Sequence, residues 1–143
     1  MNKTIITKLK RAFTLYDDLL EFIPEKYLTQ KIQNTPSNPL GHQLWCVVGA
    51  RHSYTKALKA GAWQGFDCPL KTEETAFSKA VSEKLKTTAD DLLDFLENNE
   101  EYLLDILLDL YEHEIQHHGQ IIRYLYAFKL GVPESWKKRY NLD

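Results

Sequence analysis

Residues 101–130 read EYLLDILLDLYEHEIQHHGQIIRYLYAFKL, the longest helical pattern in the chain. Ile106, Leu110, His113, His117, Ile121, Tyr124 and Phe128 recur at steps of three and four. That period marks the buried stripe of an amphipathic helix. Gly131 with Pro133 beyond it is a strong stop signal. Residues four apart on a helix point the same way, so His113 and His117 share one face and could share one ion. Imidazoles set in an apolar stripe need partners, because an unpaired buried polar group costs roughly 1–3 kcal/mol. The partner is either a metal or a set of carboxylates such as Asp105 or Glu112.

Working outward, residues 4–23 step through Ile6, Leu9, Phe13, Tyr16, Leu20 and Ile23 and form a helix that Pro24 helps to end. A short helical piece is expected over 25–32. The polar run 33–39 follows as a loop, with Ser37 or Asn38 as N-cap and Pro39 in the first turn of the next helix. That helix spans 39–60 and is less clearly amphipathic: Leu40, Leu44, Val47, Val48, Tyr54 and Leu58 form its apolar side, yet Trp45, Cys46, Gly49 and Ala50 occupy other faces. Gly61 ends it. The loop GAWQGFDCPL, Gly61 to Leu70, carries Trp63, Phe66 and Cys68, expected to tuck into a crevice between elements. A third helix covers 76–98, its start lying between Thr72 and Ser78, and 133–140 reads as a last short turn packing Trp136 and Tyr140.

No segment shows a period of two. The fold class expected is therefore all-α, an antiparallel four-helix bundle forming a single domain over 1–143. At 143 residues, 43% apolar and 27% charged, the chain is long enough for one core and ordinary for a soluble protein. A net charge of −2 gives no basic face for nucleic acid. No apolar run approaches the roughly 20 residues of a membrane span, and the N-terminus lacks a signal-peptide pattern. Cys46 and Cys68 are too few for a disulfide scaffold, and read as thiols in a reducing, cytoplasmic compartment.

Bundles build metal sites from side chains on facing helices, and a catalytic zinc usually has three protein ligands plus water. His42 and Cys46 share a face of the second helix with Gly49 and Ser53 and are the candidate further ligands. Cys46 is either a thiolate ligand or a small buried hydrophobe. His52 lies about 80° off that face and His118 about 100° from His117, so neither is expected at the same ion. Gln120, one turn beyond His117, is positioned to orient a bound ligand. Glu112 and Glu114 serve as bases only if they turn toward the cleft, against their helical phase.

These residues bear a resemblance to a known family. The chain resembles the DinB-like superfamily of helical metalloenzymes and thiol S-transferases in His113, His117, Gly119 and Gln120 of the last long helix. The likeness continues through Tyr124-Leu125, the Gly131-Val132-Pro133 exit, and Ser37-Asn38-Pro39-Leu40-Gly41 leading into Leu44-Trp45. It spans essentially the whole chain. It implies a zinc or nickel ion held by two histidines of the last helix and one of the second. His113 and His117 carry over directly, but the family histidine of the second helix falls at Cys46, with His42 one turn earlier as a substitute. Where the family commonly has arginine, this chain has His118. Gly119 inside a helix costs about 1 kcal/mol against alanine, which close approach of a neighbouring helix would explain.

The resemblance implies a metal-dependent hydrolase or thiol S-transferase acting on a small molecule, with a low-molecular-weight thiol as co-substrate and a homodimeric state. The ion would lower the pKa of a bound water or thiol. HEIQH also satisfies the HExxH pattern of zinc peptidases, but no downstream ligand on another element and no peptide-binding strands accompany it. The alternative from a different class is a metal-free helical bundle serving as a binding or dimerisation module. Loss of the second-helix histidine and the stock of aromatic residues favour it.

Overall fold

The computed structural model describes residues 3–143. They form four long helices, α1 (Lys3–Phe22), α2 (Leu40–Ala60), α3 (Ser78–Asn98) and α4 (Leu104–Ala127), and a short α5 (Glu134–Tyr140). Single 3₁₀ turns occupy Glu25–Thr29 and Thr72–Ala76, and no strand occurs among the described residues. No helix among the described residues is long and apolar enough to cross a membrane.

The helix boundaries follow from local chemistry. Gly61 adopts φ 76°, and its N–H bonds Ala57 O at 2.8 Å, closing α2. At the other end, α2 begins at Leu40 behind Pro39, with no side-chain cap. Ser37, expected as a cap, instead braces the preceding loop: its Oγ accepts from Ile32 N at 2.8 Å. The α4 helix is shorter than the pattern expected, because Leu103 is extended and Lys129 (φ 58°) and Gly131 (φ 74°) turn the chain toward α5.

The second helix holds the fold together. It packs against both α3 and α4, and the two 3₁₀ turns also lie on it. That arrangement accounts for its apolar residues on every side: Leu40, Leu44, Val47, Val48, Ala50, Ala57 and Leu58 are all buried within the chain. Gly41 is where the Thr72–Ala76 turn crosses closely, since a Cβ there would stand 2.6 Å from Thr75 O and 3.0 Å from Leu28 O.

The apolar core divides into two halves. One gathers Tyr16, Leu19, Leu44, Val47, Val81, Leu85, Ile121, Leu125 and Trp136. The other gathers Leu9, Phe13, Ala50, Leu58, Ala89, Leu92, Leu107 and Leu110. On α2 the change falls between Val48 and Ala50, next to Arg51, and on α4 between Leu110 and Ile121, where Glu114 lies; Arg51 and Glu114 are both buried. Arg51 Nε donates to Glu114 Oε1 at 2.6 Å, Nη2 donates to Oε2 at 3.3 Å, and Nη1 donates to Leu85 O at 2.9 Å. The guanidinium also lies over the Phe13 ring, 4.1 Å from its centroid. A charged layer thus sits between two apolar ones, with the guanidinium paired to a carboxylate and a carbonyl, the condition under which such burial is tolerated.

Candidate functional site

The α4 helix buries Leu107, Leu110, Glu114, His117, His118, Ile121, Tyr124 and Leu125. The buried stripe is therefore rotated from the one through Ile106, His113 and Phe128. His113 stands at its margin, half-buried, while Glu114 and His118 lie at its centre. Gly119 is exposed, with nothing within 4 Å of an added Cβ. Close helix approach does not explain it.

His113 and His117 do come together. Their rings are 4.4 Å apart between centroids, and the two Nε2 atoms are 3.2 Å apart. The third participant is Gln43 of α2, whose Oε1 lies 2.6 Å from His117 Nδ1. An amide oxygen only accepts, so Nδ1 carries the proton and His117 Nε2 carries a lone pair. The next link is His113 Nε2–H donating to His117 Nε2. A single run of protons, His113 to His117 to Gln43, then satisfies three of the four ring nitrogens. The remaining one, His113 Nδ1, is buried without a partner. Burial, and the neighbouring His113, push the His117 imidazole down to about 4, and burial also lowers His113. Both rings are neutral near pH 7.

Could the same atoms hold an ion? Two nitrogens on one tetrahedral zinc, each about 2.0–2.1 Å from it, lie about 3.3–3.4 Å apart, close to the spacing found. Both Nε2 atoms would then need free lone pairs, which moves the His113 proton to Nδ1 and leaves a buried donor unpaired. An orphaned N–H is rarer in proteins than an under-used acceptor. No group of three or more His, Cys, Asp or Glu side chains among the described residues is placed to hold a metal. The donor set of two imidazoles falls short of a catalytic zinc site.

Ser53, on the face shared by His42, Cys46 and Gly49, bonds the Asp67 backbone, its Oγ accepting from N at 2.8 Å and donating to O at 2.9 Å. A Cβ on Gly49 would fall 2.2 Å from Phe66 Cζ. At Gly49 and Ser53 this face is covered by the 61–70 loop. His42 and Cys46 do not join the histidine pair in a metal-holding group, and the α2 residue that meets His117 is Gln43. Gln120 makes no hydrogen bond to the pair. Asp105 and Glu112 are exposed and do not partner it. His52 Nε2 stands 3.4 Å from Asp67 Oδ2, apart from the pair. The loop aromatics lie over α2 and not in a crevice: Trp63 is 52% exposed against Tyr54, and Phe66 is 49% exposed against Trp45.

The burial of two polar groups beside the pair, His118 and Glu114, was not anticipated from the sequence. His118 is fully buried; its Nε2–H donates to Ala12 O at 3.1 Å, and its Nδ1 accepts from Tyr140 Oη at 2.5 Å. Burial drives this imidazole down to about 3. It ties α4 to α1 and α5. Glu114 is the second, and burial pushes its carboxyl up while the Arg51 guanidinium works against that rise. Its main-chain oxygen accepts from Tyr16 Oη at 2.8 Å. The available signal was Arg51 itself, a charge set among Val47, Val48, Ala50 and Tyr54 on a helix with apolar residues all round.

No protein-family model matches the chain, and no curated protein matches its sequence.

Proposed function

We propose that the chain is a DinB-like antiparallel four-helix bundle working without a metal, as a binding module. The observation that carries this reading is the Gln43–His117–His113 run, which partners three of the four ring nitrogens of a neutral imidazole pair within the protein. The aromatic side chains of the 61–70 loop supply the binding surface, with Trp63 and Phe66 each about half exposed. Aromatic residues of this kind contribute area at low entropic cost in interfaces. A second copy of the chain is the simplest partner. Sedimentation at micromolar concentration should show a dimer, and a 16.7 kDa species alone would remove that part of the reading.

The metal question is tested by dialysing the purified protein against zinc and nickel, followed by elemental analysis of wild type and His117→Ala. Neither protein should retain metal. Retention of about one ion per chain, lost in His117→Ala, would overturn the proposal. It would favour the second reading, a metal-dependent hydrolase or thiol S-transferase acting on a small molecule. The 3.2 Å separation of the two Nε2 atoms is what favours that alternative. In it His113 and His117 would hold a zinc or nickel ion, which would supply an activated water or thiol.

A further inference from the structure

The segment 66–70 runs along α2 and is fastened to it at four points. Phe66 packs on Gly49, Asp67 is held by Ser53, and Trp45 Nε1 donates to Leu70 O at 2.9 Å. Between these, Cys68 Sγ donates to Trp45 O at 3.4 Å. That oxygen belongs to the peptide bond that joins Trp45 to Cys46. The Cys68 sulfur therefore lies against the α2 backbone beside Cys46. Both cysteines are free and partly exposed, so a small reagent can reach them.

We propose that Cys46 and Cys68 form a modification site, a reversible intramolecular disulfide made by exchange with a low-molecular-weight disulfide, which locks the 61–70 loop onto α2. The reaction balances in two exchanges. One protein thiol loses its proton and attacks a sulfur of the small disulfide, which forms a mixed disulfide and releases one small thiolate. The other protein thiol, also deprotonated, attacks the protein-side sulfur of that mixed disulfide and releases the second small thiolate. The two small thiolates take up the two protons. The net change is two protein thiols and one small disulfide converted to one protein disulfide and two small thiols. Closure requires Cα atoms about 4.4–6.8 Å apart, and the fastenings on either side of Cys68 keep the segment against α2. Burial raises both thiols above their ordinary value, so exchange is slow near neutral pH and speeds up as pH rises.

The test uses the full chain with glutathione disulfide, followed by intact-mass measurement and thiol counting. Wild type should lose two hydrogens and both thiols, without a retained glutathionyl group, and dithiothreitol should restore them. Peptide mapping should then show one Cys46–Cys68 link, and the oxidised form should melt at higher temperature. Cys46→Ser and Cys68→Ser should each stop at one glutathionyl adduct, while unchanged circular dichroism shows that they fold. Wild type that accumulates two glutathionyl groups, keeps both thiols, or forms disulfide-linked dimers would overturn the proposal.

Discussion

Replacing Glu114 by alanine should destabilise the protein by about 3–5 kcal/mol, the range for breaking one half of a buried ion pair. The structure supports a value of that size. Arg51 is 1% exposed and Glu114 fully buried. Loss of the carboxylate strands the Nε–H and one Nη2–H of a group that stays charged. Two stranded donors at roughly 1–3 kcal/mol each reach the same total. The bond from Nη1 to Leu85 O and the bond from Tyr16 to the Glu114 main chain survive the substitution, so the loss is confined to the pair. Arg51→Met alone should also be costly. The double variant Arg51→Met with Glu114→Leu should recover much of the loss, because apolar replacement of both partners removes the desolvation cost along with the attraction. Urea unfolding of wild type, Arg51→Met, Glu114→Leu and the double variant closes the double-mutant cycle, with a coupling of about 2 kcal/mol or more. Refutation would be a Glu114→Ala loss under about 1 kcal/mol, or losses that simply add in the double variant.

Acid should destabilise the chain through its buried histidines. His117 at about 4 and His118 at about 3 lie below the ordinary 6.5. The unfolded chain therefore binds protons that the native state refuses. Their contribution is complete above the unfolded value and declines as pH falls from 6.5 toward 4 and 3, at about 1.4 kcal/mol per pH unit per histidine. His118→Gln should flatten the curve of unfolding free energy against pH, and an unchanged slope would contradict the assignment. Gly119→Ala should raise stability by about 0.5–1 kcal/mol, as an exposed helical glycine with open space around it. Gly41→Ala should lower it by about 1–3 kcal/mol through collision with Thr75 O, and thermal melts that reverse the order of the two would refute this. Trp136→Ala should cost about 3–5 kcal/mol and free α5, since Trp136 is fully buried and its Nε1 donates to Leu15 O at 2.7 Å. Trypsin should then cut first at Lys137, Lys138 and Arg139, and wild-type resistance there would count against it.

Spacing in the sequence accounts for the helices and for where the chain turns. Apolar steps of three and four mark α1, α3 and α4, Gly61 and Gly131 take positive φ, and Trp136 packs from a short terminal helix. The His113–His117 contact was legible for the same reason, since i and i+4 on a helix meet wherever that helix goes. What surrounds the pair was not. On α2 the apolar residues run all round, so no periodicity reveals which face meets α4, and a slip of one residue turns a side chain by about 100°. Tertiary packing selected Gln43 to meet His117. The burial of Glu114 likewise depends on Arg51, 63 residues away in sequence. A charge can enter the core only when its partner arrives with it, and no local pattern in the sequence records that meeting.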